Sequence, residues 1–282
     1  RSIRARDLNA VGAMSVLLRD AILPNLIQTM EGTPILVHAG PFGNIATGCN
    51  SIIADKLGLG LADYVVTEAG FGSDLGFEKF CDIMAPALGQ GPDAVVIVAT
   101  IRALKSHSGQ FKLIPGKPLP EALTQENIPA LIAGSVNLVR HIENVRQFRC
   151  PVVVAINHFP GDTDAEIEAL TKVVQDSGVE HIAVSRGFAQ GGTGTAELAR
   201  QVVDVLEKRP ADFRSLYSSE VSLFDKIETI AKSVYGAGSV KFGAGTRTRI
   251  RLLEKWGYGH LPVCIAKTQY SFSHDPALLG AP

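Results

Sequence analysis

Six short apolar runs punctuate the chain, at residues 35–37, 64–67, 94–99, 152–156, 181–184 and 261–266. Most give way at once to turn-forming residues. Between them lie stretches with helical spacing, at 121–148, 164–177 and 195–207. Strands alternating with helices at this interval predict parallel βαβ units, and therefore an α/β chain with a doubly wound, mostly parallel sheet. The run AVVIVA (94–99) is apolar throughout, which predicts burial on both faces. Near the start, Val11, Met14, Leu17, Leu18, Ala21 and Ile22 predict one helix over 8–30, kinked at Pro24. After Pro210 the pattern changes. Helices are expected at 223–235 and 246–256, with a last strand at 261–266, giving a smaller C-terminal α+β portion.

Parallel sheets bind ligands beyond the carboxyl ends of their strands. Here those ends read HAGPFG, TEAGFG, TIRALK, NHFPGDT and SRGFAQGG. All but TIRALK carry glycine, and each adds polar residues, an aromatic ring or a charge. The first belongs to a strand–turn–helix stretch, 35–58, in which Gly40, Gly43 and Gly48 leave room for a ligand to approach the backbone. It is neither GxGxxG nor GxxxxGKS/T, so an anion cradle and an ordinary strand-to-helix turn are both open. Phe159 and Phe188 sit at strand ends beside glycines. They can be core aromatics or the walls of a pocket for a flat ring. His38 ends a strand and is expected to be a hydrogen-bonded structural residue.

Composition narrows the classes. The 282 residues are 46% hydrophobic, enough for a substantial core in one large or two smaller domains. Lys and Arg number 27 against 28 Asp and Glu, which speaks against a nucleic-acid or anionic-membrane footprint. No apolar run approaches the length of a membrane span. The opening RSIRARDLNAVGAM has no apolar signal core, so a cytoplasmic protein is expected. The four cysteines are scattered without CxxC spacing, which predicts free thiols rather than disulfides or zinc. The histidines show no metal-ligand spacing.

Five stretches together, TPILVHAGPFGNIATGCNSIIAD (33–55), ADYVVTEAGFGSDLGFEKFCD (62–82), VIVATIRALK (96–105), VVVAINHFPGDT (152–163) and LPVCIAKTQYSFS (261–273), resemble the formate–tetrahydrofolate ligase family. They cover most of the chain in the family's order. The resemblance implies a P-loop NTPase-like sheet and a two-step reaction. ATP phosphorylates formate to formyl phosphate, and N10 of tetrahydrofolate then takes the formyl group. It implies Mg²⁺, a monovalent cation and an oligomer. Gly40, Pro41, Phe42, Gly43 and Asn44 resemble the segment beside the nucleotide. Lys267, Gln269, Tyr270, Ser271 and Ser273 resemble part of the adenine site. Phe159, Pro160 and Phe188 resemble the residues that sandwich the pterin, with Val184 beside them. Glu68 and Asp74 are expected near Mg²⁺ or formate, or else as helix N-terminal carboxylates. Arg102 and Lys105 are expected to contact phosphate.

The resemblance also implies three portions: 1–150 for nucleotide and formyl phosphate, 151–210 for folate, and 211–282 as the start of a further domain. Some positions depart from the family's pattern. Phe188 stands where many members carry tryptophan, which keeps a stacking face. Met84-Ala85-Pro86 stands where Lys-Cys-Arg is usual, Thr47 where histidine is usual, and Ser106-His107-Ser108-Gly109 where Met-His-Gly-Gly is usual. The GxxxxGKS/T loop of the family is absent from these residues. Three roles are therefore open: a ligase completed by further sequence or a complementary chain, a folate- or nucleotide-binding homologue without turnover, and an assembly partner.

Overall fold

The computed structural model describes residues 3–40, 42, 43, 45–111, 116–208, 210–267, 272–275 and 277–280. The chain divides into two compact units. The first comprises Arg1–Pro41 with Cys49–Glu68, and the second Phe42–Gly48 with Ala69–Pro282.

The first unit holds helix α1 (Val11–Ala21), strands β1 (Asn25–Gln28) and β2 (Pro34–Val37), and helix α2 (Ile52–Leu61). β1 and β2 form an antiparallel hairpin, with Asn25 opposite Val37 and Gln28 opposite Pro34. This corrects the helix expected over 8–30. Pro24 has no amide hydrogen to continue the ladder, and Gly32 at φ +86° turns the chain back. Ser51 caps α2 by accepting from the Ala54 amide. The His38 ring is bound at both nitrogens, Nδ1 to the Ser51 hydroxyl at 2.7 Å and Nε2 to the Ala21 carbonyl at 2.8 Å. Residues 64–67, expected as a strand, join no ladder; Val66 is 93% exposed.

In the second unit, two π-helical turns (Ser73–Phe77 and Phe80–Met84) lead into the short α3 (Ala85–Leu88). The parallel sheet follows, with strands β3 (Val95–Ala99), β4 (Val152–Asn157) and β5 (His181–Ser185) in the order β3-β4-β5. Helices α4 (Ile101–Ser106), α5 (Ile128–Gly134) and α6 (Val136–Gln147) lie between β3 and β4, and α7 (Asp164–Asp176) lies between β4 and β5. After β5 come the short α8 (Gly187–Gln190), then α9 (Ala196–Lys208), α10 (Leu223–Ser233) and α11 (Thr246–Lys255). The broad α/β expectation holds, with a three-stranded parallel sheet. The C-terminal portion is helical, and 261–266 is not a strand. This segment pairs with neither edge strand of the sheet, β3 or β5.

β4 is the buried strand, with Val153, Val154, Ala155 and Ile156 no more than 1% exposed. Burying each of its valines and Ile156 contributes roughly 1.5–3 kcal/mol. β3 differs from expectation. Val96 and Val98 are exposed, because β3 is an outer strand of this sheet. α6 packs on β3 and β4, α9 packs on β5 and β4, and α4, α5 and α7 pack on one another. Thr163 and Glu166 form a reciprocal capping box that starts α7 directly after the β4 loop. Cys49, Cys81 and Cys150 are buried, Cys264 is exposed, and none of the four forms a disulfide. Among the described residues no helix is long and apolar enough to cross a membrane.

Candidate functional site

Register brings three of the five strand-end segments to one edge. Ala99 lies opposite Ile156, and Ile156 opposite Val184. The chain therefore leaves β3, β4 and β5 side by side, as TIRALK, NHFPGDT and SRGFAQGG. The other two segments follow no strand of this sheet.

The β4 exit turns tightly because Asp162 closes it. Its Oδ2 accepts from the Phe159 amide at 2.8 Å, its own amide donates to the Phe159 carbonyl at 3.0 Å, and Gly161 adopts φ +101°. The β5 exit is pinned by the Arg186 amide, which donates to the Gly194 carbonyl at 2.9 Å. These turns bring the rings of Phe159 and Phe188 to 5.4 Å between centroids, inclined at 43°. Arg102, from α4, holds its guanidinium carbon 4.6 Å from the Phe159 centroid, within cation–π range. Phe188 is 73% exposed, so the pair opens to solvent. Val184, in β5, is half-buried, and Pro160, next to Phe159 in sequence, is exposed. An exposed aromatic pair over a rigid sheet edge can take a flat heteroaromatic ring.

A second cluster forms around Asp74, in the first π-helical turn. Its carboxylate pairs with Lys267 Nζ at 2.6 Å, and Tyr235 donates its hydroxyl to the Asp74 carbonyl. Lys267 Nζ also lies 3.5 Å from the Tyr235 ring centroid. Burial pulls the Lys267 pKa down against the opposing pull of Asp74. Burial pushes the Tyr235 phenol up, so it stays a donor. His141 Nδ1 accepts from the Ser73 hydroxyl at 2.7 Å, and its ring lies 4.7 Å from Phe272. Burial lowers its pKa to about 4, so it is neutral at pH 7. Tyr235, Lys267, Phe272 and Ser273 line a cleft of about 400 Å³ with Ile265, Ala266 and His274.

A sequence profile described as formate–tetrahydrofolate ligase matches residues 1–282. The chain belongs to the formate–tetrahydrofolate ligase family. It is 52% identical over 280 residues to a formate–tetrahydrofolate ligase of Roseiflexus sp. (strain RS-1), covering 99% of this chain and 50% of that protein. To that of Hyphomonas neptunium it is 54% identical over 281 residues, covering 100% of this chain and 49% of the relative. To that of Chloroflexus aurantiacus (strain J-10-fl) it is 52% identical over 283 residues, covering 99% and 49%. The chain thus spans about half the length of the curated relatives it matches.

The residues singled out from the sequence fall into several places. Phe159, Phe188 and Arg102 meet at the sheet edge, where Pro160 follows β4 and Val184 lies near the end of β5. Asp74, Lys267 and Ser273 belong to the second cluster. Gly40 and Glu68 lie in the first unit, where Glu68 is exposed. Pro41, Asn44, Gln269, Tyr270 and Ser271 lie outside the described residues. Phe42 is exposed, while Gly43 is packed against backbone: a Cβ on Gly48 would lie 2.5 Å from the Gly43 Cα. Gly48 passes its carbonyl to the Gly70 amide and Gly70 its carbonyl to the Gly76 amide, both at 2.9 Å. Close approach of chain to chain thus accounts for Gly43 and Gly48, where the sequence suggested a ligand. Lys105 departs further. It is fully buried, its Nζ 2.8 Å from Glu166 Oε1 and 2.9 Å from the Gln125 carbonyl. This is an internal ion pair in place of the expected phosphate contact.

Sequence reasoning in terms of formate–tetrahydrofolate ligase motifs missed Lys79, Tyr235, His141 and the acidic pair Glu78 and Asp82. Lys79 is buried and donates to the Gly43 carbonyl. Glu78 is fully buried with no hydrogen-bond partner for either oxygen other than Asp82. Two buried carboxyls so coupled resist ionising together. Burial, then the neighbouring Asp82 charge, holds Glu78 well above the usual range. Burial raises Asp82 to about 7, although its Oδ1 accepts from the Leu216 amide at 2.8 Å. The spacing of four within FEKFCDIM was the available signal, because an acidic pair on one face of an apolar helix is unusual.

Two predictions arise here. A carboxyl whose pKa is raised on folding stabilises most below its unfolded pKa of about 4, and that contribution is lost as pH rises through about 7. His141, lowered on folding, acts in the opposite sense below pH 6.5. The difference between wild type and Asp82→Asn isolates the acidic pair. The variant is expected to gain stability relative to wild type as pH rises from 5 to 8, read from urea midpoints. A constant difference would contradict the raised Asp82 pKa. Second, a Cβ on Gly194 would lie 2.5 Å from the Arg186 carbonyl oxygen. Gly194→Ala should cost roughly 1–3 kcal/mol and displace the turn bearing Phe188, checked by thermal unfolding.

Proposed function

We propose that this chain supplies the folate-binding part, and a share of the nucleotide-binding part, of a formate–tetrahydrofolate ligase. ATP and formate give formyl phosphate, and N10 of tetrahydrofolate takes the formyl group. The observation that carries this reading is the Phe159–Phe188 pair at the carboxyl edge of the parallel sheet, 5.4 Å apart and open to solvent. A pterin is flat and weakly basic, so stacking between two phenyl faces fixes its plane while its edge stays free for hydrogen bonds. Val184 adds an apolar wall and Pro160 a rigid one. Arg102 holds the Phe159 face. Family membership over residues 1–282 supports the reading.

The cleft at Tyr235, Lys267, Phe272 and Ser273 suits an adenine ring. Asp74 holds Lys267 in place there. The sheet is of the doubly wound, P-loop-like kind in this reading. The family's phosphate-loop residues come from further sequence or from a complementary subunit. The described residues do not fit a dedicated cation site. Asp74 is committed to Lys267, and no cluster of three acidic, His or Cys side chains is placed to hold a metal. Mg²⁺ and a monovalent cation are therefore assigned no ligands and no step here.

Isothermal titration of the purified chain with tetrahydrofolate and with MgATP, beside an assay of formate-dependent 10-formyltetrahydrofolate, tests the proposal. Saturable tetrahydrofolate binding is expected with or without turnover. Absence of folate binding would contradict it.

A further inference from the structure

The two loops carrying the aromatic pair are joined at their bases by one side-chain contact. Arg186 Nη1 lies 3.0 Å from His158 Nε2. His158 immediately precedes Phe159, and Arg186 stands two residues before Phe188. Both are half-buried. The backbone beneath them is already registered, because the His158 amide donates to the Ser185 carbonyl at 2.9 Å. Other charged groups near the rings are Arg102, against the Phe159 face, and Asp162, under the Phe159 amide.

We propose that His158 and Arg186 are positioning residues for the folate substrate, a latch that fixes the spacing of the two ring-bearing loops. A guanidinium can only donate. His158 Nε2 must therefore accept, which places the single imidazole proton on Nδ1. At 5.4 Å the rings touch each other. A ring inserted between them needs about 3.5 Å on each side, so the centroids must part to about 7 Å. With the latch closed, that opening is confined to the two side chains and the loop tips. Without it, the loops separate at their bases, and binding must also order them.

This rests on the folate reading above, and the test keeps the two apart. Tetrahydrofolate is titrated into wild type, His158→Ala, His158→Gln, Arg186→Ala and the double alanine variant, all as the full chain. His158→Ala and Arg186→Ala are each expected to weaken binding on the order of tenfold. The double variant should be no weaker than either single one, and His158→Gln, which keeps an acceptor, should restore most of the affinity. Equal loss in His158→Gln and His158→Ala, or additive losses in the double variant, overturns the latch while leaving the folate site intact. The second readout needs no ligand. Imidazole ¹⁵N shifts of the wild type should show His158 with a bare Nε2 and a protonated Nδ1, and the reverse tautomer overturns the latch. If the wild type binds no tetrahydrofolate, the folate reading fails, and the tautomer alone decides whether the latch exists.

Discussion

Lys105→Met is expected to destabilise the fold by about 3–5 kcal/mol, the usual cost of stranding one member of a buried ion pair. Lys105 and Glu166 are at most 1% exposed, and the ammonium supplies one of the contacts that neutralise the carboxylate. Glu166 Oε1 also accepts from the Asn127 amide at 2.9 Å, and the same side chain caps α7. The charge left behind would sit where α5, α7 and the β3 exit converge. Its neutralisation by a second change, Glu166→Gln, is expected to recover much of the loss, because the amide oxygen can still accept from Asn127. Denaturant unfolding of the three variants measures this. A loss below about 1 kcal/mol in Lys105→Met would mean that the pair is solvated and would reopen a ligand role for Lys105.

Removing both rings, Phe159→Ala with Phe188→Ala, is expected to weaken tetrahydrofolate binding by about two orders of magnitude. Stacking a flat heteroaromatic base on one aromatic side chain contributes about 1–3 kcal/mol, and two such faces are lost. Phe188 is largely exposed, so Phe188→Ala alone should leave the unfolding midpoint nearly unchanged while reducing affinity at least about fivefold. Phe188→Trp keeps the face and should bind at least as well as wild type. Loss of affinity in step with loss of folded protein would instead assign the rings to the core.

The parallel sheet was legible because its signal is local. The runs at 94–99, 152–156 and 181–184 became β3, β4 and β5 within one residue at each end. Their continuous apolar character did not reveal which strand is covered on both faces, since that depends on sheet order. The strand ends named Phe159 and Phe188, whose rings the structure brings together, because turn chemistry and glycine mark strand ends in sequence. Lys105 was misread for the opposite reason. Its partner Glu166 is 61 residues away and carries no local mark. The Asp74–Lys267 contact spans 193 residues, so the sequence could flag both members but not that they meet. The hairpin at 25–37 was hidden because the helix read from upstream spacing was carried on to residue 30, past its end at Ala21.

A crystal structure of the chain with bound tetrahydrofolate tests the central claim most directly. The pterin should lie between Phe159 and Phe188, with the ring centroids parted from 5.4 Å to about 7 Å. A pterin bound elsewhere on the chain, with the two phenyl rings still in mutual contact, would contradict it.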